Sequence, residues 1–134
     1  MRVLISFKTT NLSVLGEDVR RKVTQGRLDK DYFDRLKKDD SFHHDCRKKI
    51  LSELDKQGVV WVEINRGLFW PDLSSIDAVI SVGGDGTVLE ASHHIHTEDI
   101  PLIGVKSSPM SVGKLCAFDT EGVVDLVTKL REGG

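Results

Sequence analysis

The stretch Val79-Ile80-Ser81-Val82-Gly83-Gly84-Asp85-Gly86-Thr87 joins an apolar run to a turn with three glycines in four residues. Ala78 to Val82 is short and nearly all apolar, the pattern of a strand covered on both faces. Gly83 to Gly86 breaks that strand. Glycines let the main chain turn sharply and take positive φ, and their N–H groups can approach a ligand closely. A helix predicted from Thr87 to about His96 adds unpaired amides and the positive end of its dipole, which favours phosphate. Thr87 can cap that helix or donate to a phosphate oxygen. Asp85 is the odd member, because a carboxylate repels a bare phosphate. It makes sense as the acceptor of a sugar hydroxyl or as the holder of a metal. The alternative is a tight strand-to-helix turn with Asp85 as a cap, but a turn needs fewer glycines. No Gly-Lys-Ser/Thr follows, so this is not a Walker loop, and the spacing is not GxGxxG.

Working outward, Arg2 to Phe7 reads as a buried strand, Val59 to Ile64 as a second, and Ile100 to Val105 as a fourth after Ala78 to Val82. Leu115 to Phe118 is a short fifth candidate. Ser41 to Gln57 is predicted as an amphipathic helix with Phe42, Cys46, Ile50, Leu51 and Leu54 inward. Ser41 or Asp40 caps its start, and Gly58 stops it in the left-handed conformation. Thr120 to Arg131 is a last helix with Val123, Val124, Val127 and Leu130 on one side. From Glu17 to Asp40 charged residues of both signs outnumber all others. That stretch is expected to be a solvated, partly helical excursion with high mobility or few core contacts, the alternative being a mobile flap over a nucleotide site. Alternating strands and helices predict a three-layer α/β fold, a Rossmann-like parallel sheet of four or five strands with right-handed crossovers. Ligands bind such sheets beyond the strands' carboxyl ends, where the strand order reverses.

A chain of 134 residues makes one domain and can bury a core without staples. Hydrophobic residues at 39% and charged residues at 30% mark a soluble globular class. A net charge of −2 excludes a globally basic nucleic-acid binder. No apolar run approaches the ~20 residues that span a membrane. No signal or transit segment is evident. Cys46 and Cys116 form neither a metal spacing nor a disulfide framework, so a reducing, cytoplasmic location is expected. His93, His94 and His96 share a helix face only in part, and His43 and His44 point in different directions, so no metal site is predicted. Cys116 is expected to be a small buried residue and Trp61 a core residue. Trp70, in a loop beside Pro71, is a candidate contact for another domain.

The GGDGT run at a strand end resembles the signature of the superfamily of NAD kinases, diacylglycerol kinases and phosphofructokinases. Gly104-Val105-Lys106-Ser107-Ser108-Pro109-Met110-Ser111-Val112-Gly113-Lys114-Leu115-Cys116 resembles the NAD kinase loop, in particular its mitochondrial and plant NADH-kinase-like branch. That branch carries GVN-[ST]-DP and then Ser-x-Gly-His-Leu-Cys. Lys8-Thr9-Thr10 after the first strand is also similar to it. The resemblance runs loosely over 2–64 and well over 76–118. Lys106 replaces the usual Asn, Lys114 replaces His, and Glu90 is more like the lipid kinases. The lipid kinases' Gly-Thr-x-Asn-Asp motif is absent, and a diacylglycerol- or sphingosine-type kinase stands as the alternative. A non-catalytic nucleotide-binding remnant is the second alternative.

The resemblance implies phosphoryl transfer from ATP, with Mg²⁺, to the 2′-hydroxyl of the adenosine ribose of NAD(H), giving NADP(H). It implies that Asp85 acts on that hydroxyl, and that Gly83, Gly84, Gly86 and Thr87 bind phosphate. Ser107, Ser108, Gly113, Leu115 and Cys116 would line the dinucleotide pocket, with Lys8 near the donor phosphates. Family members carry a second, all-β domain with an Asn-Glu or Asn-Asp motif, and they form homo-oligomers. The expectation is therefore an amino-terminal domain with little activity alone, whose partners are small-molecule nucleotides and that absent domain.

Overall fold

In the computed structural model, residues 1–8, 30–65, 70–95, 99–109 and 113–132 are described. Five parallel strands form one sheet in the order β2-β1-β3-β4-β5. They are β1 (Arg2–Phe7), β2 (Val60–Asn65), β3 (Ala78–Gly83), β4 (Leu102–Lys106) and β5 (Phe118–Asp119). The helices are α1 (Lys30–Lys56), α2 (Asp85–His94) and α3 (Val123–Arg131), the last preceded by a 3₁₀ turn at Thr120–Gly122.

Alternation along the strands sorts the core into two faces. Val3, Ile5 and Phe7 of β1 and Ala78, Ile80 and Val82 of β3 pack with Cys46, Ile50 and Leu54 of α1 and with Val123, Leu126, Val127 and Leu130 of α3. Leu4 and Val79 face the other way, onto Ala91 of α2 and the 70–76 segment through Trp70 and Ile76. Every residue of β3 is buried, as its nearly all-apolar run predicts, and β1 and β4 flank it in parallel. On the α2 face Ser6, Ser81 and Gly104 stand in register across three strands. This row of small residues admits a close helix: a Cβ on Gly104 would lie 2.8 Å from Val88 Cγ2 and 3.0 Å from Cys116 Cα.

The main departure from expectation is α1, which begins at Lys30 rather than Ser41. Residues 17–29 of the charged run lie outside the described residues, but 30–40 are helical. Lys and Arg are good helix formers, and pairs one turn apart support the exposed face: Lys37 Nζ over the Phe33 ring at 5.1 Å, His44 with Asp40 at 3.4 Å. Leu36 is buried, although it belongs to neither core cluster. The inward stripe is Leu36, His43, Cys46, Ile50 and Leu54, and Phe42 is 43% exposed. Spacing permits either Phe42 or His43 to face inward, and hydrophobicity favours the wrong one. Helix α1 ends as expected. Gly58 takes φ +72°, with Val59 N–H donating to Leu54 O at 2.9 Å and Gly58 N–H to Asp55 O at 3.2 Å.

Smaller shifts follow the same logic. Helix α2 starts within the glycine motif, two residues before Thr87, and ends at His94; His96 lies outside the described residues. Strand β4 starts after Pro101 and takes in Lys106, and β5 sits at Phe118–Asp119 rather than Leu115 to Phe118. In α3 Leu126 is buried and Val124 is exposed. Trp61 packs at the margin of the first core, its indole N–H donating to Asp55 Oδ1 at 2.9 Å.

Candidate functional site

The chain leaves β1 towards β2 on one side, and β3 leads to β4 and β5 on the other. The strand order therefore reverses between β1 and β3, and the carboxyl ends there are where an α/β sheet opens to a ligand. Lys8 and Gly83 sit at that point. Lys8 N–H donates to Val82 O at 3.0 Å, and Gly83 O accepts from Ser107 N–H at 3.0 Å, so the ends of β1, β3 and β4 are bound together.

The glycine motif supplies space more than left-handed backbone. Gly83, at φ +159°, is next to fully extended, and Gly84 is extended at φ −135°, ψ −160°. A Cβ on Gly83 would lie 2.6 Å from Thr87 Oγ1 and 3.0 Å from Lys8 Cβ, so only glycine fits without displacement. Gly84 is the N-cap of α2 and has no side chain to cap it. The positive end of the helix dipole thus meets the crevice without a carboxylate or hydroxyl from its N-cap residue. Gly86 is exposed in the first turn, while Thr87 is buried against Gly83.

Asp85 does not cap the helix. Its Oδ1 accepts the main-chain N–H of Leu115 at 2.8 Å. Its other carboxylate oxygen takes no hydrogen bond from any described residue, and the side chain is half-exposed. This bond draws the 113–116 turn, closed by Cys116 N–H to Gly113 O at 3.1 Å, over the start of α2. Gly113 runs along the Lys106 stem; a Cβ there would meet Lys106 Cδ at 2.9 Å. Lys106 is in register with Gly83, so it ends β4 beside the motif. Lys114 and Leu115 are exposed on the turn, and Glu90 lies further along α2.

Two residues of α1 that sequence reasoning left out of the site reach into it. Asp39 binds Lys8 Nζ at 3.1 and 3.3 Å. His43 is 3% exposed, and its Nδ1 lies 2.8 Å from Ser107 Oγ. Burial, with Lys8 and then His44 adding positive charge, pushes the His43 pKa down to about 4, so the ring is neutral at pH 7. A polar residue in an otherwise apolar inward stripe was the available signal for His43. Ser107 and Ser108 are both buried, and the Ser107 hydroxyl is turned towards α1.

The remaining candidates are placed elsewhere or are inert. Cys116 is partly buried; burial and then Asp85 raise its thiol pKa, and burial does the same for Cys46. Both are free. Trp70 is buried and stacks on His94, centroids 4.7 Å apart and planes 5° apart. Among the described residues no three His, Cys, Asp or Glu side chains cluster to hold a metal ion, and no helix is long and apolar enough to cross a membrane. Mg²⁺ that arrives with a nucleotide asks for only one or two carboxylates besides the phosphates, and half-exposed Asp85 fits that demand. The arrangement can bind phosphate at the α2 start, between Lys8 and Lys106, and can hold a hydroxyl at Asp85.

Residues 19–133 match the profile of the ATP-NAD kinase N-terminal domain. An NADH kinase of Arabidopsis thaliana is 40% identical over 95 residues, covering 59% of this chain and 30% of the relative. An NAD kinase of Porphyromonas gingivalis is 40% identical over 58 residues, 43% of this chain and 19% of the relative. The chain thus spans under a third of the length of these curated relatives. Among solved structures, an NAD kinase from Archaeoglobus fulgidus in complex with ATP superposes with a TM-score of 0.55 at 19% identity, covering 98% of this chain and 38% of that one. At that identity the likeness carries the fold alone.

Proposed function

The chain belongs to the ATP-NAD kinase N-terminal domain family, and from that premise we propose that it provides the phosphoryl-transfer half of an enzyme that phosphorylates the 2′-hydroxyl of the adenosine ribose of NAD(H), with ATP as donor. The observation that carries this reading is Asp85: a carboxylate with one oxygen fixed by Leu115 N–H and the other open, beside an uncapped helix start at the point of strand-order reversal. Phosphoryl transfer depends mainly on positioning and charge stabilisation. The α2 amides, Gly84 and Gly86 hold phosphate oxygens, and Lys8 and Lys106 offset their charge. Asp85 would hold the Mg²⁺ that accompanies ATP, and that ion would supply neutralisation of phosphate charge. Asp85 orients the ribose hydroxyl and accepts its proton. Ser107, Ser108, Gly113, Leu115 and Cys116 shape the dinucleotide side of the crevice.

Relatives named NADH kinase and NAD kinase support NAD(H) as the acceptor. The rest of the dinucleotide site belongs to a β domain of the kind the family carries, and the complete enzyme self-associates. Two free thiols suit the reducing cytoplasm. The test is titration of the 134-residue chain with Mg²⁺-ATP, NAD and NADH, followed by amide NMR. Shifts confined to 83–87, 107–108 and 113–116 support the reading. Saturating ligand without such shifts rejects it, and shifts without turnover in any longer form of the protein favour a non-catalytic module.

A further inference from the structure

We propose that His43 is a positioning residue of the nucleotide site, holding Ser107 and thereby the lip at the end of β4, while Asp39 one turn earlier on α1 holds Lys8 on the other side of Gly83. The proposal rests on the functional reading above for what the lip is used for, but not for its geometry.

Ser107 is held at both ends. Its N–H donates to Gly83 O at 3.0 Å and its hydroxyl meets His43 Nδ1 at 2.8 Å. One residue therefore ties the glycine motif to the helix across the sheet. His43 is fixed in turn: its ring stands edge-on to Phe7, centroids 6.0 Å apart at 82°, in the β1 end that leads to Lys8. Asp39 and His43 are i, i+4 on α1, so they share one helix face. From that face they reach Lys8 and Ser107, and a Cβ on Gly83 would lie against Lys8. Helix α1 is thus a strut that sets the width between Lys8 and Ser107.

Packing alone does not call for histidine here. The other inward members of the stripe are Leu36, Cys46, Ile50 and Leu54. A leucine at 43 would fill the same apolar space with no polar group to desolvate. What only a polar side chain supplies is the bond to Ser107. The groups facing the ring are Lys8 from the end of β1, Ser107 after β4, and His44, Asp39 and Asp40 from α1 itself. The neutral ring has one donor and one acceptor nitrogen, so the serine hydroxyl can complement either form of Nδ1.

The test uses the 134-residue chain and three variants: His43→Leu, His43→Asn, whose amide can reach Ser107, and Ser107→Ala. Amide hydrogen exchange is read first, without nucleotide. His43→Leu is expected to speed exchange at the Ser107 amide by about tenfold or more while core amides of β1 and β3 stay unchanged, and His43→Asn is expected to restore it. Unchanged exchange at Ser107 in His43→Leu overturns the proposal. If His43→Leu does not fold, Ser107→Ala removes the same bond from the other side, and slow exchange at position 107 there overturns it equally. NADH affinity is read second. His43→Leu should weaken it by about tenfold, and adding Ser107→Ala should weaken it no further, because both act through one bond. Additive losses, or parent-like affinity in His43→Leu, overturn the positioning role. A parent chain that binds no nucleotide sinks the functional reading instead, and the exchange measurement still decides whether His43 places Ser107.

Discussion

The Asp85 carboxylate and the Leu115 main-chain N–H meet at 2.8 Å, so the residue assigned to the ribose hydroxyl also anchors the turn that covers it. Asp85 thereby has two separable duties. Holding the turn needs only an acceptor oxygen. Taking a proton needs the charge and the basicity.

Asp85→Asn separates them. The Asn carbonyl can still accept from Leu115 N–H, so exchange at Leu115 should stay slow. In a form of the protein that turns over, kcat should fall by about 10²–10⁴-fold, the usual contribution of a general base, with a smaller change in KM for NAD. Asp85→Ala should lose both, with fast exchange at Leu115. A kcat within a few-fold of the parent in a folded Asp85→Asn protein removes Asp85 from the chemistry.

Gly83→Ala places a methyl 2.6 Å from Thr87 Oγ1 and 3.0 Å from Lys8 Cβ. Overpacking of this kind costs about 1–3 kcal/mol. A urea midpoint lowered to match is expected. Thr87→Ala in the same chain should restore part of the loss, since it removes the nearer atom and leaves Lys8 in place. Full stability in Gly83→Ala alone would contradict the close approach.

Gly58→Ala tests conformation without crowding. Nothing lies within 4 Å of a Cβ there, but φ is +72°. The expected loss is about 1–2 kcal/mol, the steric penalty of the left-handed region. Equilibrium denaturation should show it as a lower midpoint with an unchanged slope.

Stability should fall on mild acidification because of His43. Its folded pKa is about 4 against 6.5 for the free side chain. Between those values the unfolded chain binds the extra proton, so stability rises with pH across the window and is lost as pH drops. The slope from one such group reaches at most about 1.4 kcal/mol per pH unit. Subtracting the profile of His43→Leu from that of the parent isolates this contribution. A difference that is flat from pH 6.5 to 4 shows that the ring is not buried neutral.

Strands and the glycine motif were legible because their signals are local. A parallel strand buried on both faces reads as a nearly continuous apolar run, and β1 and β3 do, broken inside only by the small residues Ser6 and Ser81. The motif's place between a strand end and a helix start was legible in the same way. The first turns of α1 were legible only in part: mixed charges allow a partly helical stretch, but they follow no apolar period, so neither the start at Lys30 nor the burial of Leu36 could be read from them. His43 was hidden for a similar reason. Its neighbour Phe42 fits the stripe equally well by spacing, and only the position of Ser107 after β4 gives a buried imidazole its hydrogen bond.

Strand order also dictates an order of events during synthesis. Strand β1 emerges first and ends up interior, with β2 on one edge and β3 on the other. Until Ala78–Gly83 leaves the ribosome, one edge of a strand in which Val3 to Phe7 are all destined for burial has no mate. At the usual ~5–20 residues per second, that wait lasts about 4 to 15 s. An apolar strand with an open edge is a template for pairing with other chains. Nascent chains that stall before β3 are therefore the ones a holdase should capture, and Lys8 gains its place beside Gly83 only when that vulnerability ends.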